Sequence, residues 1–303
     1  MTERIPSVAA VGAAAGGGPA AAVLAPWRRD RRGSLRLYLS FVRLAFLKFL
    51  AFRLRYYTGV VSYTIFVAGH AYLYRALFAS RPEPLADVRI GGLELVEMIT
   101  YVAIAWIGRS FTFNNIDRTL SHQIQQGEIA MQLIKPFHVQ TVMMFEAAGE
   151  AAFRLLLFTL PIMVVVVPVF GIGGPPHSYL IGWTLLSFVL ALVINSQLNF
   201  LIGCLAFYLK NIDGVIRAKH ISLDFLSGVL IPFSFFPVWF QTVVAWLPFQ
   251  GLTYVPVTIY LGKRLGVDLY SAVLVQAAWA VGLFLVGRWL WTRAVRAVTL
   301  QGG

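Results

Sequence analysis

Charge is what this sequence has least of. Lys, Arg, Asp and Glu together make up 13% of the 303 residues, while 58% are hydrophobic. Soluble domains carry about 25% charged residues. A chain of this length has too few charges here to clothe a surface in water, and lipid is the solvent that fits. Acidic residues are scarcer still, 13 against 25 Lys plus Arg, for a formal net charge of +12. Such an excess suits either nucleic acid or an anionic membrane surface, and its placement decides. Many of the basic residues precede Tyr57 and most others flank apolar runs, as charges flank membrane helices. No nucleic acid is expected as a partner. The one cysteine, Cys204, sits inside an apolar run; an intrachain disulfide is excluded.

Catalytic signatures are missing too. There is no HExxH, no metal-spaced Cys/His cluster and no GxSxG elbow, so zincin and α/β-hydrolase chemistry have no carrier. The histidines at 70, 122, 138, 177 and 220 fall in different segments. Without a Walker A loop, GxxxxGK[ST], the chain has no phosphate cradle of that kind, and no cofactor is expected on it. Ser227-Gly228 lies in an apolar stretch with no histidine placed to activate the hydroxyl; it reads as a small-residue helix contact.

What is there is a series of apolar runs. Residues 1–33 are Ala, Gly and Pro rich and then basic at Arg28, Arg29, Arg31 and Arg32. The charges follow the small residues, the reverse of a signal peptide, so a disordered basic cytoplasmic tail is expected. Residues 35–55 are apolar but interrupted by Arg36, Arg43, Lys48 and Arg53. A central Lys or Arg costs about 2.5–3.5 kcal/mol in a bilayer and each Leu or Phe returns only about 0.3–0.6. An amphipathic helix lying in the interface is therefore favoured over a spanning one.

Six spans are expected, at 57–78, 93–113, 141–170 (broken at Pro161 and Pro168), 179–209, 221–236 and 269–291. About 20 apolar residues cross a core of about 30 Å. Between the last two, Pro237, Pro248 and Pro256 divide residues 237–262 into pieces too short to cross, which reads as a re-entrant helical hairpin. Lys and Arg crowd one side, in the tail, 114–138, 210–220 and the C-terminus. Arg81, Arg89, Lys263 and Arg264 are left for the other. The positive-inside rule puts both termini in the cytoplasm.

Four features stand out. Ile116, Leu120 and Ile124 recur at helical spacing within the loop 114–138, and Gly127 is placed to end that helix, next to Glu128. A helix held between two spans suits docking of a cytoplasmic partner, or resting on headgroups. In the fourth span Asn195, Gln197 and Asn199 are either interhelical hydrogen-bonding groups or a polar strip on a translocation path. Glu146, Glu150 and Arg154 form an i, i+4, i+8 ladder that reads as an ion pair. Asp224 is expected to pair with Arg217, Lys219 or a partner subunit.

The sequence resembles the membrane subunits of ABC-2 type transporters, in particular a branch of bacterial permeases. The matching stretches are IQQGEIAMQLIKP at 124–136 and QLNFLIGCLAFY at 197–208. Within 226–263 come LSGVLIPFSFFPVWFQ, LPF and YVPVTIYLGK, and the chain ends WTRAVRAVTLQGG. The resemblance runs from about residue 35 to the end. It implies an all-α integral membrane fold in the bacterial cytoplasmic membrane: an interface helix, six spans and short re-entrant helices. It also implies two ABC ATPase subunits carrying ATP and Mg, a second permease subunit that is identical or paralogous, and a coupling helix at 114–138. The function implied is export of a hydrophobic or amphipathic substrate. A scaffold or sensor subunit without solute flux, and an intramembrane enzyme, are the alternatives.

Overall fold

A computed structural model describes residues 31–51, 54–82, 87–135, 137–209 and 211–297. The chain divides into two compact units, Met1–Leu39 and Ser40–Gly303. Of the first, only the start of helix α1, Arg31–Ala51, is described; the expected tail over 1–33 otherwise lies outside the described residues.

The second unit is helical among its described residues. After the rest of α1 come α2 (Leu54–Ala79) and α3 (Leu95–Thr112). The short helices α4 (Ile116–Gln125) and α5 (Ile129–Leu133) follow, then α6 (Val139–Arg154), α7 (Leu160–Phe170) and α8 (Tyr179–Cys204). The last third holds α9 (Asp213–Leu226), α10 (Val238–Ala245), α11 (Tyr254–Tyr260) and α12 (Gly266–Ala297). Among the described residues, three helical stretches can cross a membrane by length and composition: Val139–Phe170, Tyr179–Phe207 and Gly266–Arg296.

The expected breaks at Pro161 and Pro168 do not occur, and one helical run of 32 residues passes through both. Pro161 has no N–H to give and its ring crowds the preceding turn. A single π turn, Leu155–Thr159, absorbs this by adding a residue to the turn, with the Leu160 N–H bonded to the Leu155 carbonyl.

The segment expected as a fifth span, 221–236, is not one helix either. Helix α9 starts earlier, at Asp213, and stops at Leu226. The chain then turns through Gly228 (φ 85°), reaches Pro232 and makes a single 3-10 turn, Phe233–Phe235. Residues 238–260 form two helices of 8 and 7 residues around a 3-10 turn, Pro248–Leu252.

The main core joins α2, α3 and α7. Val67, Phe78, Met98, Tyr101 and Ile162 are buried there with essentially no exposure. A second core lies under α4, where Ile116 and Leu120 pack with Met143 of α6 and Phe200 and Cys204 of α8. Glycine permits this approach at Gly203, where a Cβ would come within 3.0 Å of the Leu120 side chain. Much of the remaining apolar surface faces outward, including Val61, Ile65, Leu185, Val281 and Leu285. That is unfavourable in water and suited to hydrocarbon.

Candidate functional site

Helix α3 ends at Thr112, and the chain passes through Phe113, Asn114 and Asn115 before α4 begins. Carbonyls at such a junction lack helical partners. Here α8 supplies them. Asn195 Nδ2 donates to the Thr112 carbonyl at 2.8 Å. Asn199 Nδ2 donates to both the carbonyl (3.0 Å) and the Oδ1 (2.8 Å) of Asn114. Asn114 Nδ2 in turn donates to Ser196 Oγ at 3.1 Å. Asn195 and Asn199, four residues apart, thus point at one elbow between two helices.

The elbow carries a charge. Asp117, in the first turn of α4, is fully buried, and Lys219 of α9 forms an ion pair with its Oδ2. Lys219 Nζ also donates to Asn199 Oδ1 at 2.6 Å. Asp117 Oδ1 accepts the Arg118 backbone N–H at 2.8 Å, a favourable place for an anion at a helix N-terminus. Three helices, α4, α8 and α9, therefore meet at one ammonium group. Burial pushes the Lys219 pKa down, opposed by the Asp117 carboxylate. Burial, then the Lys219 charge, pushes His220 down to about 4. The neutral imidazole lies flat against Phe113, with ring centroids 5.6 Å apart.

Behind this lock Asp224 pairs with Arg109 of α3, Nε to Oδ1 2.6 Å. The expected partners Arg217 and Lys219 do not take it: Arg109 reaches it from α3, and Lys219 is already held by Asp117. The Arg109 and Arg154 guanidinium groups both stand against the Phe113 ring, at 4.9 and 4.8 Å from its centroid. Arg154 forms the expected ion pair with Glu150, through bonds of 2.9 and 2.8 Å.

Gln197 points elsewhere. Its Oε1 accepts from Gln140 Nε2 at 2.8 Å, and Gln140 also donates to the Phe284 carbonyl at 2.9 Å, tying α6, α8 and α12. Gln197 Nε2 has no partner among the described residues. Asn195, Gln197 and Asn199 are all buried. Asn195 borders a cavity of about 20 Å³, shared with Arg109, His220 and Asp224. That is room for about one water.

Of the residues singled out in the loop, Ile116 and Leu120 face the core and Ile124 is half-buried. Gly127 ends α4 with φ 75°, a left-handed conformation that glycine adopts without steric cost. Glu128 is exposed. The outward surface is Arg118, His122, Gln126, Gly127 and Glu128, joined by two apolar side chains beyond the turn, Met131 (65% exposed) and Ile134 (80%). Both lie beyond Gly127, where the helical spacing of Ile116, Leu120 and Ile124 ends. Arg109 shows in the sequence as an isolated charge in an apolar run, whereas Asp117 sits beside Arg118 in a polar stretch and carries no such signal. Lys219 was noticed only as a partner for Asp224. Among the described residues no three His, Cys, Asp or Glu side chains come together as a metal centre requires.

No curated protein matches this chain. A family model described as ABC-2 family transporter protein matches residues 72–302, which takes in α3 through α12, the polar elbow and the exposed turn at Gly127. The chain belongs to the ABC-2 family of transporter membrane proteins.

Proposed function

We propose that this chain is the membrane-spanning permease subunit of an ATP-driven exporter in the bacterial cytoplasmic membrane, with both termini cytoplasmic. The observation that carries the reading is the α4–α5 unit. Its inner face is anchored by Ile116 and Leu120, its outer face is polar with an apolar tip at Met131 and Ile134, and Asp117 ties it to α9 through Lys219. A short helix whose outer face is exposed and whose inner end is ion-paired to another helix is suited to passing a push inward.

In this reading two ABC ATPase subunits hold ATP and Mg, and α4–α5 is the coupling element. Ile124, Gly127 and Glu128 meet the ATPase, while Ile116 and Leu120 hold the helix to the permease. A second permease subunit, identical or paralogous, completes the path, and membrane lipids surround both. The chain crosses six times. The fifth crossing, 221–236, combines the end of α9 with the turn at Gly228, and α10 and α11 form the re-entrant region. Such non-helical backbone is tolerated at membrane depth only where protein satisfies it. The Tyr101 hydroxyl donating to the Gly228 carbonyl at 3.0 Å is one such contact. Asn195, Gln197 and Asn199 line the path in the state that opens the small cavity beside Asn195.

The test is purification of the tagged chain from native membranes in mild detergent, with identification of what accompanies it. An ATPase in fixed stoichiometry is expected, and the number of permease species distinguishes homodimer from heterodimer. A chain that comes alone under several gentle conditions overturns the reading. Replacing Ile124 with Asp and Gly127 with Leu should leave the complex assembled but separate ATP hydrolysis from flux. Unchanged coupling removes α4 from the mechanism, and ATPase binding without any flux in vesicles leaves a scaffold.

A further inference from the structure

A second cavity lies away from the elbow, between the 3-10 turn Pro248–Leu252, α11 and α12, and measures about 230 Å³. Its apolar lining includes Val255, Val275 and Trp279, and its polar lining is Gln250, Arg264, Ser271 and Gln276. Arg264 is the one charged side chain among the described lining residues.

Arg264 is not fully used by the protein. Its Nε donates to Thr258 Oγ1 at 3.1 Å and its Nη1 to Asp268 Oδ1 at 3.1 Å. The guanidinium also stands over the Tyr254 ring, 5.8 Å from its centroid, and Nη2 makes no hydrogen bond among the described residues. The pair is also lopsided, since the Arg264 side chain is 21% exposed and the Asp268 carboxylate 58%. A cation withdrawn from water beside a solvated counter-ion is poorly compensated. A guanidinium with a free edge is shaped to take an oxyanion. The rest of the cavity would not hold a fully polar ligand, because its long wall offers hydrocarbon and an indole face.

We propose that this cavity binds an amphipathic anion, its phosphate or carboxylate head on Arg264 and its hydrocarbon along Val275 and Trp279. Two sources supply that chemistry, the exported cargo and a bilayer phospholipid. Binding itself does not depend on the permease reading; only the assignment of the ligand as cargo does.

The experiment uses the full chain, purified with its ATPase in a neutral maltoside detergent. Decyl phosphate is the probe, and decyltrimethylammonium and decanol are its comparisons. Decyl phosphate should raise the thermal midpoint in a saturable way, as any ligand of the folded state does, and the cation and the alcohol should not. Arg264→Gln should weaken half-saturation by about tenfold or more, the loss expected for a charge-assisted bond. Val275, 52% exposed, stands at the open rim of the apolar arm; Val275→Trp obstructs that rim and should also remove the shift, which keeps the test decisive if Arg264→Gln fails to fold. Equal stabilisation by the cation, or a shift that survives in Val275→Trp, overturns the proposal. In liposomes, stimulation of ATP hydrolysis at the same half-saturating concentration marks the ligand as cargo. Displacement of a co-purified phospholipid without stimulation marks it as lipid. An absent ATPase with the binding shift intact would sink the permease reading and leave the site.

Discussion

Helix α8 carries two polar clusters on its buried face, and they differ in kind. Near its start, Ser187 Oγ donates to Gln276 Oε1 at 2.7 Å, and Gln276 Nε2 donates to the Gly251 carbonyl at 2.7 Å. Near its end, Asn195, Ser196 and Asn199 bind the α3–α4 elbow and the Asp117–Lys219 pair. The first cluster is neutral and staples α8 and α12 to the turn that roofs the larger cavity. The second is charged and joins three helices, one of which presents an outward polar face. Neutral hydrogen bonds contribute about 0.5–1.5 kcal/mol each, net of water. A buried ion pair contributes little net but is costly to break by halves. The first cluster is thus built to hold a position. In the second, a small displacement of Asp117 carries a large electrostatic penalty, so α9 must follow α4.

The largest effect that separates the two follows from this. Asp117→Ala leaves the Lys219 ammonium buried without its carboxylate and should cost about 3–5 kcal/mol, read by equilibrium unfolding in mixed micelles. Asp117→Leu combined with Lys219→Met removes both charges and should recover most of that loss. The double variant should nevertheless uncouple ATP hydrolysis from flux, since the helices no longer pull on one another. If the double variant is as unstable as the single one, the elbow is held by the asparagines and the pair is incidental.

Gln276→Leu attacks the neutral cluster. It strands the Gly251 carbonyl and the Ser187 hydroxyl and should cost about 1–3 kcal/mol in the same unfolding measurement. Coupling of hydrolysis to flux should be kept in whatever fraction remains folded. Loss of coupling there equal to that of the Asp117 and Lys219 double variant would erase the distinction between the clusters.

The helices were legible where an apolar run is long and uninterrupted. Expected runs at 57–78, 93–113, 179–209 and 269–291 each contain or coincide closely with one helix, because backbone with no water to bond must bond itself. Helix α4 was legible from Ile116, Leu120 and Ile124, and its end from Gly127. The run 221–236 misled because hydropathy does not distinguish a helix from turns in apolar surroundings. Gly228 and Pro232 were the only local signs. Pro161 misled in the opposite direction, since a π turn lets a helix continue past a proline. The polar partners were the least legible part. Asp117 and Lys219 are 102 residues apart, and sequence spacing carries no information on which helices become neighbours. The four-residue spacing of Asn195 and Asn199 puts them on one helix face, but their targets, the Thr112 and Asn114 carbonyls, are backbone atoms that no side-chain pattern reveals.

The smallest expected effect concerns pH. His220 stands 3.9 Å from the Asp117 carboxylate, Nε2 to Oδ2, and would strengthen the lock if it were charged. Its pKa is instead held down to about 4, first by burial and then by Lys219. A histidine depressed in the folded state favours folding while it is neutral in both states, above its ordinary value near 6.5. As pH falls below that value the unfolded chain takes up a proton that the folded chain refuses, and stability declines until the folded pKa is reached. Between pH 7.5 and 5.5 the loss should be at most about 1 kcal/mol, because the partly exposed imidazole is screened by solvent, and His220→Gln should flatten that slope. Coupling should not change over the same range, because Lys219, not His220, carries the charge that holds Asp117. A coupling ratio that rises on acidification and loses its pH dependence in His220→Gln would make the imidazole part of the lock, and the charged cluster would then be a pH-sensitive device instead of a fixed one.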